Sequence, residues 1–141
     1  MDIQVNLGPY RDAPCLLLET AIRRTLIEDG RSGEFSVTLI GDQEMRELNA
    51  RYLGRDVPTD VLAFSMGTRE LPLGDVYVCV DQAGRQAKEH EVPLDEELVR
   101  LVVHGALHVL GHDHPKNSTR LTSPMFEVQE RLVCQVLSDF E

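Results

Sequence analysis

His104-Gly105-Ala106-Leu107-His108-Val109-Leu110-Gly111-His112-Asp113-His114 holds four of the chain's five histidines within eleven residues. Leu98, Leu101, Val102, Leu107 and Leu110 recur at helical spacing through and ahead of it, so His104 and His108 stand at i and i+4, one turn apart on one helix face. Two imidazole nitrogens so placed can each reach ~2.0–2.1 Å from one zinc ion. Gly111 lets the chain leave the helix, and His114, six residues after His108, can return as the third ligand. Three neutral imidazoles keep one coordination position open, the ligand count of a catalytic zinc rather than of a closed structural site. A lone HxxxH pair would be ordinary polar decoration of a helix end. Three histidines able to close on one ion, with a glycine at the turn, reverse that reading. His112 is either an alternative third ligand or, given its short reach past Gly111, an exposed or supporting residue. His90 closes a separate polar helix and reads as a partner of the helix dipole or of solvent.

Outward from this segment the pattern is α+β. Asp95, Glu96 and Glu97 suit the positive N-terminus of the histidine helix, and Pro93 resets the chain before it. Ser123-Pro124 opens a last helix as N-cap and first residue. Toward the N-terminus, Ile3–Leu7 alternates as a strand, and Pro14 to about Asp29 carries a helical stripe of Leu17, Leu18, Ala21, Ile22, Thr25 and Leu26. Phe35–Ile40 is a second strand. Asp42 is placed to N-cap a helix bearing Met45, Leu48, Asn49 and Tyr52. Val61–Phe64 is continuously apolar, as expected of a strand covered on both faces. Gly74–Val80 is a further strand, and Asp81 is placed to cap a polar helix ending near His90. Roughly four strands and about five helices, without repeats or linkers, predict one α+β domain over residues 1–141.

Bulk properties narrow the function. Hydrophobic residues make up 42% and charged residues 27%, and no apolar run approaches the ~20 residues of a membrane span. The start, Met1-Asp2-Ile3-Gln4-Val5-Asn6, lacks the pattern of a secretory signal, so a cytoplasmic location is expected and no membrane partner. Cys15, Cys79 and Cys134 are scattered and read as reduced, buried small hydrophobes. A net charge of −10 argues against long-range attraction to nucleic acid, yet twelve of the fourteen cations are Arg, suited to bidentate phosphate contact in a local groove.

The histidine and glycine spacing is that of the metzincin proteases, HExxHxxGxxH. The protease general base, however, is a Glu directly after the first His, and here that residue is Gly105. Peptide hydrolysis by that route is disfavoured while the metal frame is kept.

Three blocks in order then resemble the bacterial YbeY family of zinc-dependent endoribonucleases, or rRNA maturation factors. Its HGxLHLxGxDH signature stands at residues 104–114, its LNxxYRxxDxPTDVLSF block at Leu48 to Phe64, and its LGDIxI block as Leu73-Gly74-Asp75-Val76-Tyr77-Val78. The resemblance implies a zincin-like fold, one Zn2+ per chain on His104, His108 and His114, and cleavage of single-stranded RNA. The cleavage it implies matures the 3′ end of small-subunit rRNA and serves ribosome quality control, with the small ribosomal subunit and assembly proteins as partners. One departure matters: the family's Arg after the Tyr of the second block is Leu53 here, and the Ser after its Val-Leu pair is Ala63.

Zinc would act as a Lewis acid on a phosphoryl oxygen or on water. Arg51 or Arg55 would contact the substrate phosphate, or else serve as helix-surface charges paired with Glu47 or Asp56. Asp113 would orient a ligand histidine or cap a turn. Asp60 is open between a site and a structural role, whereas Thr59 and Asp75 read as structural. No residue stands out as the catalytic base. A small zinc peptidase or other hydrolase, and a non-catalytic ribosome-assembly factor, are the competing readings.

Overall fold

The computed structural model describes residues 1–56, 59–112 and 124–140. The elements run β1 (Asp2–Asn6), α1 (Cys15–Asp29), β2 (Glu34–Ile40), α2 (Asp42–Leu53), β3 (Val61–Ser65), β4 (Leu73–Cys79), α3 (Val80–His90), α4 (Leu94–Val109) and α5 (Pro124–Ser138). The four strands form one sheet in the order β1-β2-β4-β3. β1, β2 and β4 are mutually parallel, and β3 runs antiparallel to β4 with Val61 opposite Val78 and Ser65 opposite Gly74. The α+β reading holds, with four strands and five helices among the described residues.

α4 is the organising helix. Leu98, Val99, Leu101, Val102, Val103, Ala106 and Leu107 are all essentially inaccessible, which is the signature of a helix apolar nearly all round and enclosed by its neighbours. It packs against α1, α3 and α5 and lies on β3 and β4. It approaches the sheet closely at Gly105, where an added Cβ would stand 2.8 Å from Cγ1 of buried Val76. Gly105 therefore does more than lack a carboxylate: the position has no room for a longer side chain without shifting the helix off β4.

α4 stops immediately after its second histidine. Gly111 has φ +96, its N–H donates to the His108 carbonyl, and the next N–H, of His112, donates to the Leu107 carbonyl. This is the Schellman closure, and it requires a left-handed residue at Gly111. Arg31, just beyond α1, adds a side-chain hydrogen bond at 2.6 Å to the carbonyl of Leu110. The exit of the histidine helix is thus held by both its own backbone and the α1 end.

Three expectations are corrected. Gly41, not Asp42, occupies the N-cap of α2, and the Asp42 N–H is met at 2.9 Å by Asp81, reaching over from the first turn of α3. Cys79, not Asp81, is the N-cap of α3. β3 is the edge strand of the sheet, but both its faces are covered as the apolar run implies: Val61 and Ala63 pack on the main core, and Leu62 and Phe64 on a smaller cluster with Ile40, Met45 and Cys79. Its outer side carries Phe64, packed edge-on between Tyr52 and Tyr77 with ring centroids at 5.3 and 5.9 Å. Of the cysteines only Cys79 is buried, whereas Cys15 and Cys134 are exposed.

Candidate metal centre

His104 and His108 project from α4 into a cleft of about 360 Å³ lined also by Asp60, Val61, Leu62, Ala63, Ser65, Gly105 and Val109. Their Nε2 atoms stand 3.1 Å apart, with the rings 4.6 Å between centroids and inclined at 77°. Two ligands ~2.0–2.1 Å from a tetrahedral ion are separated by ~3.3 Å, so the pair is spaced to share one ion. His104 is buried at 9% exposure, and its Nδ1 lies 2.7 Å from Oε1 of Gln129 on α5. His108 is exposed at the cleft mouth. His114 and Asp113, the expected third ligand and its neighbour, lie outside the described residues.

His112 does not join the pair. Its Nε2 is 3.1 Å from Asp29 Oδ1 at the end of α1. Burial alone would raise the Asp29 pKa, but hydrogen bonds from Arg31 and His112 outweigh it and hold the carboxyl below its usual value. His90 is likewise not a free helix-end residue, for its Nδ1 faces buried Glu97 at 3.4 Å.

Arg51 and Arg55 are exposed at the C-terminal end of α2, form no ion pair among the described residues and do not line the histidine cleft. Leu53, which replaces the family's usual Arg, is exposed beside them. A neighbouring cleft shares Ser65 and Val109 with the histidine cleft and carries Arg31 and Arg69. The guanidinium of Arg31 is occupied by Asp29, by the Leu110 carbonyl and by the Arg69 carbonyl. Arg69 is exposed. Asp60 lines the histidine cleft and accepts the Val61 N–H at 2.7 Å, shaping the entry into β3. Asp75 takes the Ser36 hydroxyl at 2.6 Å across the β2–β4 pair, the structural role expected of it.

A second donor cluster escaped the sequence reading. Asp42, Cys79 and Asp81 bring their donor atoms within 4.8 Å of one another. Each already has work here: Asp42 accepts two hydrogen bonds from Arg85, Asp81 accepts the Asp42 N–H, and the Cys79 thiol donates to Asp42. Burial, reinforced by the hydrogen bond to Asp42, pushes the Cys79 thiol up to about 11, so it is the neutral thiol at physiological pH. With an aromatic disulfide reagent at pH 8, the native protein is expected to titrate two thiols, Cys15 and Cys134. The third should react only after unfolding, and a fast third equivalent in the native state would contradict this placement.

Gln129 also escaped notice, although the sequence carried a signal. It falls at a buried position of the α5 stripe Met125, Gln129, Leu132, Val133 and Val136, where a polar side chain requires a partner. The partner, His104, is 25 residues away in sequence.

Fold and site together define a zincin-like α+β protein whose paired-histidine helix rests on a mixed sheet. Residues 12–136 match the profile of the family described as Endoribonuclease YbeY, and the chain belongs to that family. It is 38% identical over 120 residues to Endoribonuclease YbeY of Carboxydothermus hydrogenoformans, covering 83% of this chain and 82% of that one. It is 31% identical to the protein of the same name from Petrotoga mobilis over 137 residues, 96% of this chain and 94% of the other. The solution structure of TM1509 from Thermotoga maritima superimposes with a TM-score of 0.69 at 30% identity, covering 99% of this chain and 91% of that one.

Proposed function

We propose that this chain is a zinc-dependent endoribonuclease that cuts single-stranded RNA, acting in the cytoplasm as one domain on the maturing 3′ end of small-subunit rRNA and in ribosome quality control. The observation that carries the reading is the 3.1 Å approach of the His104 and His108 Nε2 atoms in an open cleft, in a chain of this family. His114 is the proposed third ligand, and Asp113 a residue orienting one of the three.

A zinc ion held by His104, His108 and His114 would supply Lewis acidity toward a phosphoryl oxygen or water. The chain's own residues do the rest. His104 is anchored from α5 and His108 stands at the mouth, so the reacting phosphate is met from the solvent side of α4. Arg69, which lines the adjoining cleft, meets the RNA backbone, and Arg51 and Arg55 are the further phosphate contacts. With a net charge of −10, RNA is delivered by the small ribosomal subunit or its assembly proteins rather than captured unaided.

The test uses purified protein for metal analysis, then incubation with precursor rRNA and with unstructured peptide, each with and without chelator. About one zinc per chain and chelator-sensitive RNA cleavage are expected, with the peptide intact. Peptide cleavage with inert RNA would establish the peptidase reading instead. Binding to small-subunit particles without turnover would establish an assembly factor.

A further inference from the structure

The amide of Gln129 is oriented by its neighbour. Its Nε2 donates to Glu130 Oε2 at 3.0 Å, and turning the amide over would set its carbonyl against that carboxylate. Glu130 is fixed in turn by Arg100 of α4, whose Nε lies 2.9 Å from Oε2 and whose Nη2 lies 3.0 Å from Oε1. Oε1 of Gln129 therefore faces the imidazole of His104 at 2.7 Å, and a carbonyl oxygen can only accept. Gln129 is 1% exposed, so water does not compete for the contact.

From this geometry we infer that Gln129 is a positioning residue that locks His104 as the Nδ1–H tautomer and so aims the Nε2 lone pair into the cleft. The chain Arg100–Glu130–Gln129–His104 holds a ring on α4 through a residue of α5, making the packing of these two helices part of the metal site. The inference rests on reading His104 as a metal ligand only for its consequence. The tautomer itself is a property of the metal-free protein.

The experiment is nitrogen-15 NMR of the imidazoles in metal-free protein, followed by zinc competition titration, for wild type, Gln129→Leu and the exchange Gln129→Glu/Glu130→Gln. In wild type the His104 signals should be those of an Nδ1–H ring. Gln129→Leu should lose that signature and bind zinc about 10–100-fold more weakly, the usual effect of removing a partner that orients a ligand. The exchange Gln129→Glu/Glu130→Gln keeps an acceptor against His104 and a donor on the neighbouring side chain, and should restore both the tautomer and near-wild-type affinity. A residue that merely filled space would leave the tautomer unchanged in the Leu variant. An Nε2–H ring in wild type, or zinc affinity in folded Gln129→Leu within about twofold of wild type, would overturn the inference. If wild type shows the Nδ1–H signature but binds no zinc, the proposed function fails while the tautomer lock stands. Should Gln129→Leu not fold, the wild-type spectrum and the exchanged variant still decide the matter.

Discussion

Replacing His108 with alanine is expected to empty the protein of zinc and to abolish RNA cleavage while leaving the fold in place. Structural zinc sites with four protein ligands bind with an apparent ~10–16 kcal/mol, about 3 kcal/mol per ligand, so losing one of three imidazoles should weaken binding by at least about 10²-fold. The fold should survive because the His108 side chain lies exposed at the cleft mouth. Surface substitutions of this kind usually change stability by less than about 0.5 kcal/mol. His104→Ala would be a poorer experiment, because it also strips the buried Gln129 carbonyl of its partner. Metal content by mass spectrometry and apo-protein thermal melts check the prediction together. Unchanged zinc content in His108→Ala would remove the histidine pair from the metal site, and the proposed chemistry with it.

The second large effect concerns stability. Arg100→Met should lower it by about 3 kcal/mol, toward the low end of the ~3–5 kcal/mol typical of breaking a buried ion pair. The guanidinium reaches Glu97 at 3.7 Å, Glu96 at 3.1 Å and Glu130 at 2.9 Å. Burial opposes its charge, but the hydrogen bonds and proximity of these carboxylates outweigh that and raise its pKa further. The decisive partner is Glu97, only 1% exposed and otherwise faced by His90 at 3.4 Å. Methionine fills similar volume but leaves that carboxylate without its cation, and it also unties α5 from α4. For a domain of this size the melting temperature should fall by about 10 °C. Adding Glu97→Gln to Arg100→Met should recover part of the loss, since the stranded charge is then gone. A shift of only a degree or two for the single variant, or no recovery in the double, would place the stabilising interactions of this helix elsewhere.

Both effects pass through α4, and α4 is where the sequence was most informative. Its i, i+4 histidines, apolar periodicity, acidic first turn and terminal glycine are local features, and each acts through the backbone of the helix that contains it. The pairing of His104 with His108, the stop at Gly111, the element types and the α+β class were therefore legible without a structure. The same local reasoning erred where a neighbour distant in sequence decides. Cys15 and Cys134 sit among apolar residues but on the outward faces of their helices. Asp42 looked like its own helix cap until Asp81, from another helix, supplied the oxygen.

The sequence by itself determined which residues offer imidazole nitrogens from one helix face, and that Gly105 leaves the protease base absent. Only the tertiary structure decided which way those nitrogens point. Tautomer and ring orientation are set by hydrogen bonds across the α4–α5 contact, and the distance between Gln129 and His104 along the chain carries no trace of their 2.7 Å separation in space. The fold likewise sent His112 to Asp29, away from the pair, and set Arg31 and Arg69 in the cleft adjoining the histidines, whereas Arg51 and Arg55 line neither cleft. Helical periodicity reaches one or two turns, whereas a functional site is assembled by packing between elements.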